Sequence, residues 1–97
     1  MDTAVHRAIK LRMLDNLEVL MKAGPDLKLP NVSGDTPLHL AASCTDVRVW
    51  ELLLRHGGDI YLQNWQGESP VQKVIEAKNN VALGLIRAYH PNSIIGI

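Results

Sequence analysis

Three stretches of this chain align at a constant interval. Thr3-Ala4-Val5-His6, Thr36-Pro37-Leu38-His39 and Ser69-Pro70-Val71-Gln72 are each displaced by 33 residues from the last. The register persists downstream: Leu17, Trp50 and Leu83 correspond, as do Val19, Leu52 and Leu85, and Leu20, Leu53 and Ile86. Gly24 pairs with Gly57, Asp26 with Asp59, Asn31 with Asn64, and Gly34 with Gly67. Self-similarity at such a period means one supersecondary unit written repeatedly, with neighbours stacked to bury what no unit buries alone. That outranks any reading of a single segment.

The middle copy shows what the unit is. Gly34 permits a tight backbone, Thr36 is placed to cap a helix, and Pro37 takes the first helical position, where its missing N–H costs nothing. Leu38, Leu40, Ala41 and Ala42 follow, a run too small and too apolar for a surface helix, so packing on both sides is expected. Helices are expected near Pro37 to Cys44 and Val47 to His56, with counterparts near Ala4 to Leu11, Leu14 to Lys22 and between Pro70 and about Tyr89. Asn31-Val32-Ser33-Gly34 and Asn64-Trp65-Gln66-Gly67 have the asparagine and glycine placement of a tight reversal. They read as projecting hairpins rather than sheet-forming strands, and Pro30 removes one donor that would extend the first.

A repeat of this period, with Thr36-Pro37-Leu38-His39-Leu40-Ala41-Ala42 opening one helix, Glu51-Leu52-Leu53-Leu54 in the next, then Gly57 and Asp59, resembles the ankyrin repeat. The resemblance covers nearly the whole chain. It implies an all-α class, an ankyrin-repeat solenoid of paired antiparallel helices joined by projecting hairpin loops. One domain spans 1–91, with repeats at about 1–30, 31–63 and 64–91, and residues 92–97 form a tail. The resemblance further implies a non-catalytic module that binds other proteins, with His6 and His39 tying one repeat to the next. A regulatory or spacer segment of a larger enzyme or scaffold protein is the alternative.

Composition narrows the field. Ten basic and ten acidic residues cancel, so no net field draws the chain to nucleic acid or an anionic membrane. No apolar run approaches the ~18 residues of a membrane span, and the first residues carry neither a basic nor an apolar leader. A single cysteine, Cys44, fits a reducing compartment, and a cytoplasmic or nuclear location is expected. With no phenylalanine, the core must be aliphatic and rich in alanine. The chain is expected to be a monomer.

The outer repeats diverge. Arg7 stands where the middle repeat has Leu40, which reads either as a terminal cap keeping its outer face polar or as one tolerated substitution. Gln72 replaces the histidine of the third repeat, Arg87 replaces Leu54, and Pro91 ends the last helix. The turn between paired helices lacks the family's glycine in all three copies, being Arg12-Met13, Thr45-Asp46 and Lys78-Asn79, so it must be reached another way. Asp46 is placed to cap the following helix. The tail, Asn92 to Ile97, has three readings: folding over the last helix, leading into a longer protein, or offering its carboxylate for strand addition.

Candidate chemistry is sparse. His56 and His90 lack a third ligand for zinc, and Cys44, His39 and Asp46 do not share a helical face, so neither a metal, a cofactor nor a catalytic role is expected. The binding reading rests on exposed positions that vary over the fixed framework. By the resemblance these are Val32, Ser33 and Asp35 on the first full hairpin and Trp65, Gln66 and Glu68 on the second. Ser43, Cys44, Glu76 and Ala77 add the helix face, with Lys10 and Leu11 extending the row. Trp65 is the expected anchor, because tryptophan is enriched among interface hot spots; the competing reading lays it along the neighbouring hairpin. Trp50 reads as core. Asp2, Asp35 and Glu68 share one position at ~10 Å spacing, where mutual repulsion is mostly screened. They form either an acidic column for a basic or donor-rich partner segment or simple complements to helix dipoles.

Overall fold

The computed structural model describes residues 3–89, and the tail discussed above lies outside them. Six helices follow in order: α1 (Ala4–Lys10), α2 (Leu14–Lys22), α3 (Pro37–Leu40), α4 (Val47–Arg55), α5 (Pro70–Glu76) and α6 (Asn80–Tyr89). A short 3₁₀ turn, Ala41–Ser43, continues α3. No strand occurs among the described residues. The helices pair as α1 with α2 and α5 with α6, and in the middle repeat α4 meets the 3₁₀ turn through the indole of Trp50. The first helices stack on one another along one side and α2, α4 and α6 along the other.

Side-chain size accounts for the close approach. Leu17, Met21, Leu38, Trp50, Leu53, Ile60, Val74 and Ile86 are sealed from solvent, with Ala8, Ala41, Ala42 and Ala82 between them where helices meet. Trp50 is core, as its register implied, and its indole N–H is shared between the carbonyls of Ala41 (2.9 Å) and Cys44 (3.0 Å). A buried indole requires such a partner. The lone thiol, Cys44, is buried beside it.

Each hairpin is pinned by its asparagine. Asn31 Oδ1 accepts from the backbone N–H of Ser33 (2.9 Å) and Asp35 (3.0 Å), and Asn64 Oδ1 accepts from Gln66 (3.0 Å) and Glu68 (2.9 Å). Gly34 and Gly67 close the turns at φ 79° and 78°, a region that favours glycine.

The turns between paired helices hold a finding the sequence left open. Arg12 and Lys78 themselves adopt the left-handed region, at φ 54° and 55°. Non-glycine residues pay about 1–2 kcal/mol for this. The middle repeat avoids it: α3 gives way to the 3₁₀ turn, Cys44 is extended (φ −90°, ψ 125°), and Asp46 caps α4 by accepting from Arg48 N at 3.0 Å. The expected helix to Cys44 is therefore shorter as an α-helix.

Candidate protein-binding face

The site begins at the repeat junctions. Each histidine of the Thr-x-x-His positions makes the same contacts. His39 Nε2 lies 2.7 Å from the carbonyl of Glu68, so it carries the proton and donates. Nδ1 is then an acceptor, receiving the Thr36 N–H at 3.0 Å and the Thr36 hydroxyl at 2.8 Å. His6 repeats this with Asp35 O at 2.7 Å and Thr3 at 3.2 and 2.7 Å. Both rings thus fasten one repeat to the hairpin of the next. Burial pushes the His39 pKa below its ordinary 6.5, outweighing the upward pull of the Glu68 carbonyl and the Asp35 and Glu68 carboxylates.

On this anchored base stand the hairpin tips. Val32 is 78% exposed and Trp65 69% exposed, yet Trp65 is not loose. Its indole N–H donates to the carbonyl of Val32 at 2.9 Å, and its ring and backbone nitrogen lie where a side chain at Gly34 would stand. Both readings of Trp65 meet here, because the ring lies along the neighbouring hairpin and remains open to solvent. Ser33 and Gln66 are exposed beside it.

Asp35 and Glu68 come together through an intermediary that sequence reasoning missed. Asn64 Nδ2 donates to Asp35 Oδ1 at 2.9 Å and to Glu68 Oε1 at 3.3 Å, and Glu68 Oε1 also lies 3.6 Å from Lys73 Nζ. The bare acidic column is thereby corrected: both carboxylates are half-buried, one amide joins them, and Lys73 offsets one charge. Asp2, its third member, lies outside the described residues. The signal available was the asparagine recurring at 31 and 64, which reads equally as a turn residue.

Ser43 and Glu76 are exposed on the first-helix face, with Lys10, Leu11 and Ala77. Cys44 is a correction. It is 7% exposed and belongs to the core, because its extended backbone after the 3₁₀ turn departs from the helix that would have carried it outward. Asn79 is a second residue missed. Buried at the start of α6, it donates to the carbonyls of Ala42 (3.0 Å) and Cys44 (2.7 Å) and accepts from Ala82 N (3.2 Å), fastening the third repeat to the second.

Asp46 is used structurally. The Asp46 carboxyl, held below its ordinary value by the Arg48 backbone N–H and then by the Arg48 side chain, is a helix cap. No group of three or more His, Cys, Asp or Glu side chains is placed to hold a metal ion among the described residues. No helix among them is long and apolar enough to cross a membrane. His90 lies outside the described residues.

Helix pairs stacked at a constant interval, joined by projecting hairpins and fastened by histidine, define a repeat solenoid. A family profile described as Ankyrin repeats (3 copies) matches residues 5–94, and the chain belongs to that family. Ankyrin repeats generally mediate protein–protein interaction, and such domains are typically non-catalytic. No curated protein matches the sequence.

Proposed function

We propose that this chain is a non-catalytic binding module that grips another protein with its hairpin tips and the adjoining face of its first helices, in the cytoplasm or nucleus. The observation that carries this reading is Trp65. An indole held by a hydrogen bond to Val32 and seated on Gly34, but more than two-thirds exposed, is an aromatic plate ordered before any partner arrives. Pre-ordering lowers the entropic cost of association, and a central aromatic anchor is what interface hot spots favour.

Val32 extends the plate, and Ser33, Gln66, Ser43 and Glu76 supply a polar rim. The partner segment is basic or donor-rich. Asp35, whose carboxylate is met by the neutral Asn64 amide, is the stronger selector, and Glu68, beside Lys73, the weaker.

The test is capture from lysate with wild-type protein and with Trp65→Ala, each checked by circular dichroism and melting. Proteins retained by the wild type and lost by a folded variant support the reading. Identical retention by both removes the hairpin face from consideration.

A further inference from the structure

Neither hairpin carries a cation. Across residues 29–38 and 62–72 the only charged side chains are Asp35 and Glu68. Of the lysines that flank these stretches, Lys28 is exposed and Lys73 lies 3.6 Å from Glu68 Oε1, offsetting that acid. Arg7 and Lys10 stand on α1, not on a hairpin. The Asp35 carboxylate is met on Oδ1 by the neutral Asn64 amide, which leaves its charge in place. One carboxylate therefore sets the sign of the field at the tips.

Trp65 is tied to that carboxylate from two directions. Its ring occupies the space of a Cβ at Gly34, and Asp35 is the next residue, one Cα–Cα step of about 3.8 Å along. Asn64, which precedes Trp65, holds the Asp35 carboxylate at 2.9 Å. The indole N–H is given to the Val32 carbonyl and the inner side of the ring to Gly34, so a partner meets the outer π-face of a residue that is 69% exposed.

An indole face attracts cations, and a carboxylate beside it attracts donors. One side chain answers both. A guanidinium is flat and weakly hydrated, stacks on an aromatic ring, and still directs its in-plane N–H groups at a neighbouring carboxylate. An ammonium is a compact, strongly hydrated point charge with no plane to lay on the ring. An acidic segment is repelled by Asp35, and an apolar one leaves that carboxylate without a charged partner.

We infer that the partner presents an arginine, whose guanidinium stacks on the outer face of Trp65 and bonds the Asp35 carboxylate. The inference rests on the hairpin-face reading above and narrows its basic or donor-rich segment to one residue type.

The test is nuclear magnetic resonance titration of the full chain with N-acetylargininamide, N-acetyllysinamide and N-acetylnorleucinamide, at matched ionic strength and up to tens of millimolar. The arginine derivative is expected to shift the Trp65 indole and the Asn64 side-chain amide, to bind about threefold more tightly than the lysine derivative, and to leave the sealed Trp50 unmoved. Asp35→Asn, which keeps an oxygen for the Asn64 amide, is expected to remove that preference. Equal binding of arginine and lysine derivatives, an equal response to the norleucine derivative, no movement at Trp65, or a preference that survives Asp35→Asn overturns the inference. The wild-type comparisons decide it even where the variant fails to fold. Lysate capture reports separately: partners lost with Trp65→Ala, beside a titration without arginine preference, leave the binding module standing and overturn this inference alone. Identical capture by both proteins removes the module, and this inference with it.

Discussion

Trp65 donates its indole N–H to the carbonyl of Val32, its own counterpart one repeat earlier, at 2.9 Å. These two exposed tip residues of the hairpins are therefore one unit, with Gly34 as the floor on which the ring rests. A methyl group at Gly34 meets both the indole and the Trp65 backbone nitrogen, at a φ of 79° that L residues rarely adopt. Gly34→Ala is expected to cost about 1–2 kcal/mol from the backbone alone. It should also shift the accessible tryptophan's emission and iodide quenching, since the second tryptophan, Trp50, is sealed. Unchanged quenching would show that the ring does not depend on Gly34.

Asn79→Ala is expected to destabilise the fold by about 2 kcal/mol, because it removes the donor to Ala42 O and leaves the Ala82 N–H without its acceptor in a buried setting. The Cys44 carbonyl keeps Trp50 as a partner, which limits the loss. Urea denaturation followed by circular dichroism measures this. Because Asn79 fastens the third repeat, the variant should also lose that repeat first, seen as early amide exchange in α6.

Arg12→Gly and Lys78→Gly are each expected to stabilise the chain by about 0.5–1 kcal/mol, the relief of left-handed backbone outweighing the added freedom of the unfolded chain. Thr45→Gly is the control. The middle turn contains no positive φ at that position, so the same change there brings no gain.

Stability should fall on mild acidification through His39. The folded pKa lies below the unfolded 6.5, so the unfolded state binds more protons as the pH drops. The contribution is complete above pH 6.5, declines as pH falls from 6.5 toward the folded value, and is gone below it. Protonation also turns the Nδ1 proton against the Thr36 backbone N–H, which can only donate. Melting temperatures at pH 7.5 and 5.5, compared with His39→Gln, test this; the third repeat carries glutamine at the equivalent position, and the variant should show a shallower pH dependence.

The architecture was legible because a repeat states its own register several times over. Thr36, Pro37 and His39 marked a helix start, Asn31 and Gly34 a turn, and Trp50 a core position, and each holds that place. What escaped were contacts between copies. Asn64 was readable as a turn former, but its amide reaches an acid 29 residues away. Repeat register continues α3 to Cys44 and points it outward, whereas the 3₁₀ turn ends the helix sooner, and that one change of backbone reverses the direction of the side chain. Arg12 and Lys78 stand where the family's turn carries glycine, but residue type alone does not reveal that the chain accepts the left-handed strain there.

The amide of Asn64 has a consequence for how such a face could change over time. It binds an acid from each of two successive hairpins, so replacing Asp35 alters the support of Glu68, and replacing Glu68 alters that of Asp35. Substitutions that retune recognition at one hairpin are therefore epistatic with those at the next. New specificity on this surface would have to be acquired as matched pairs of changes rather than one repeat at a time.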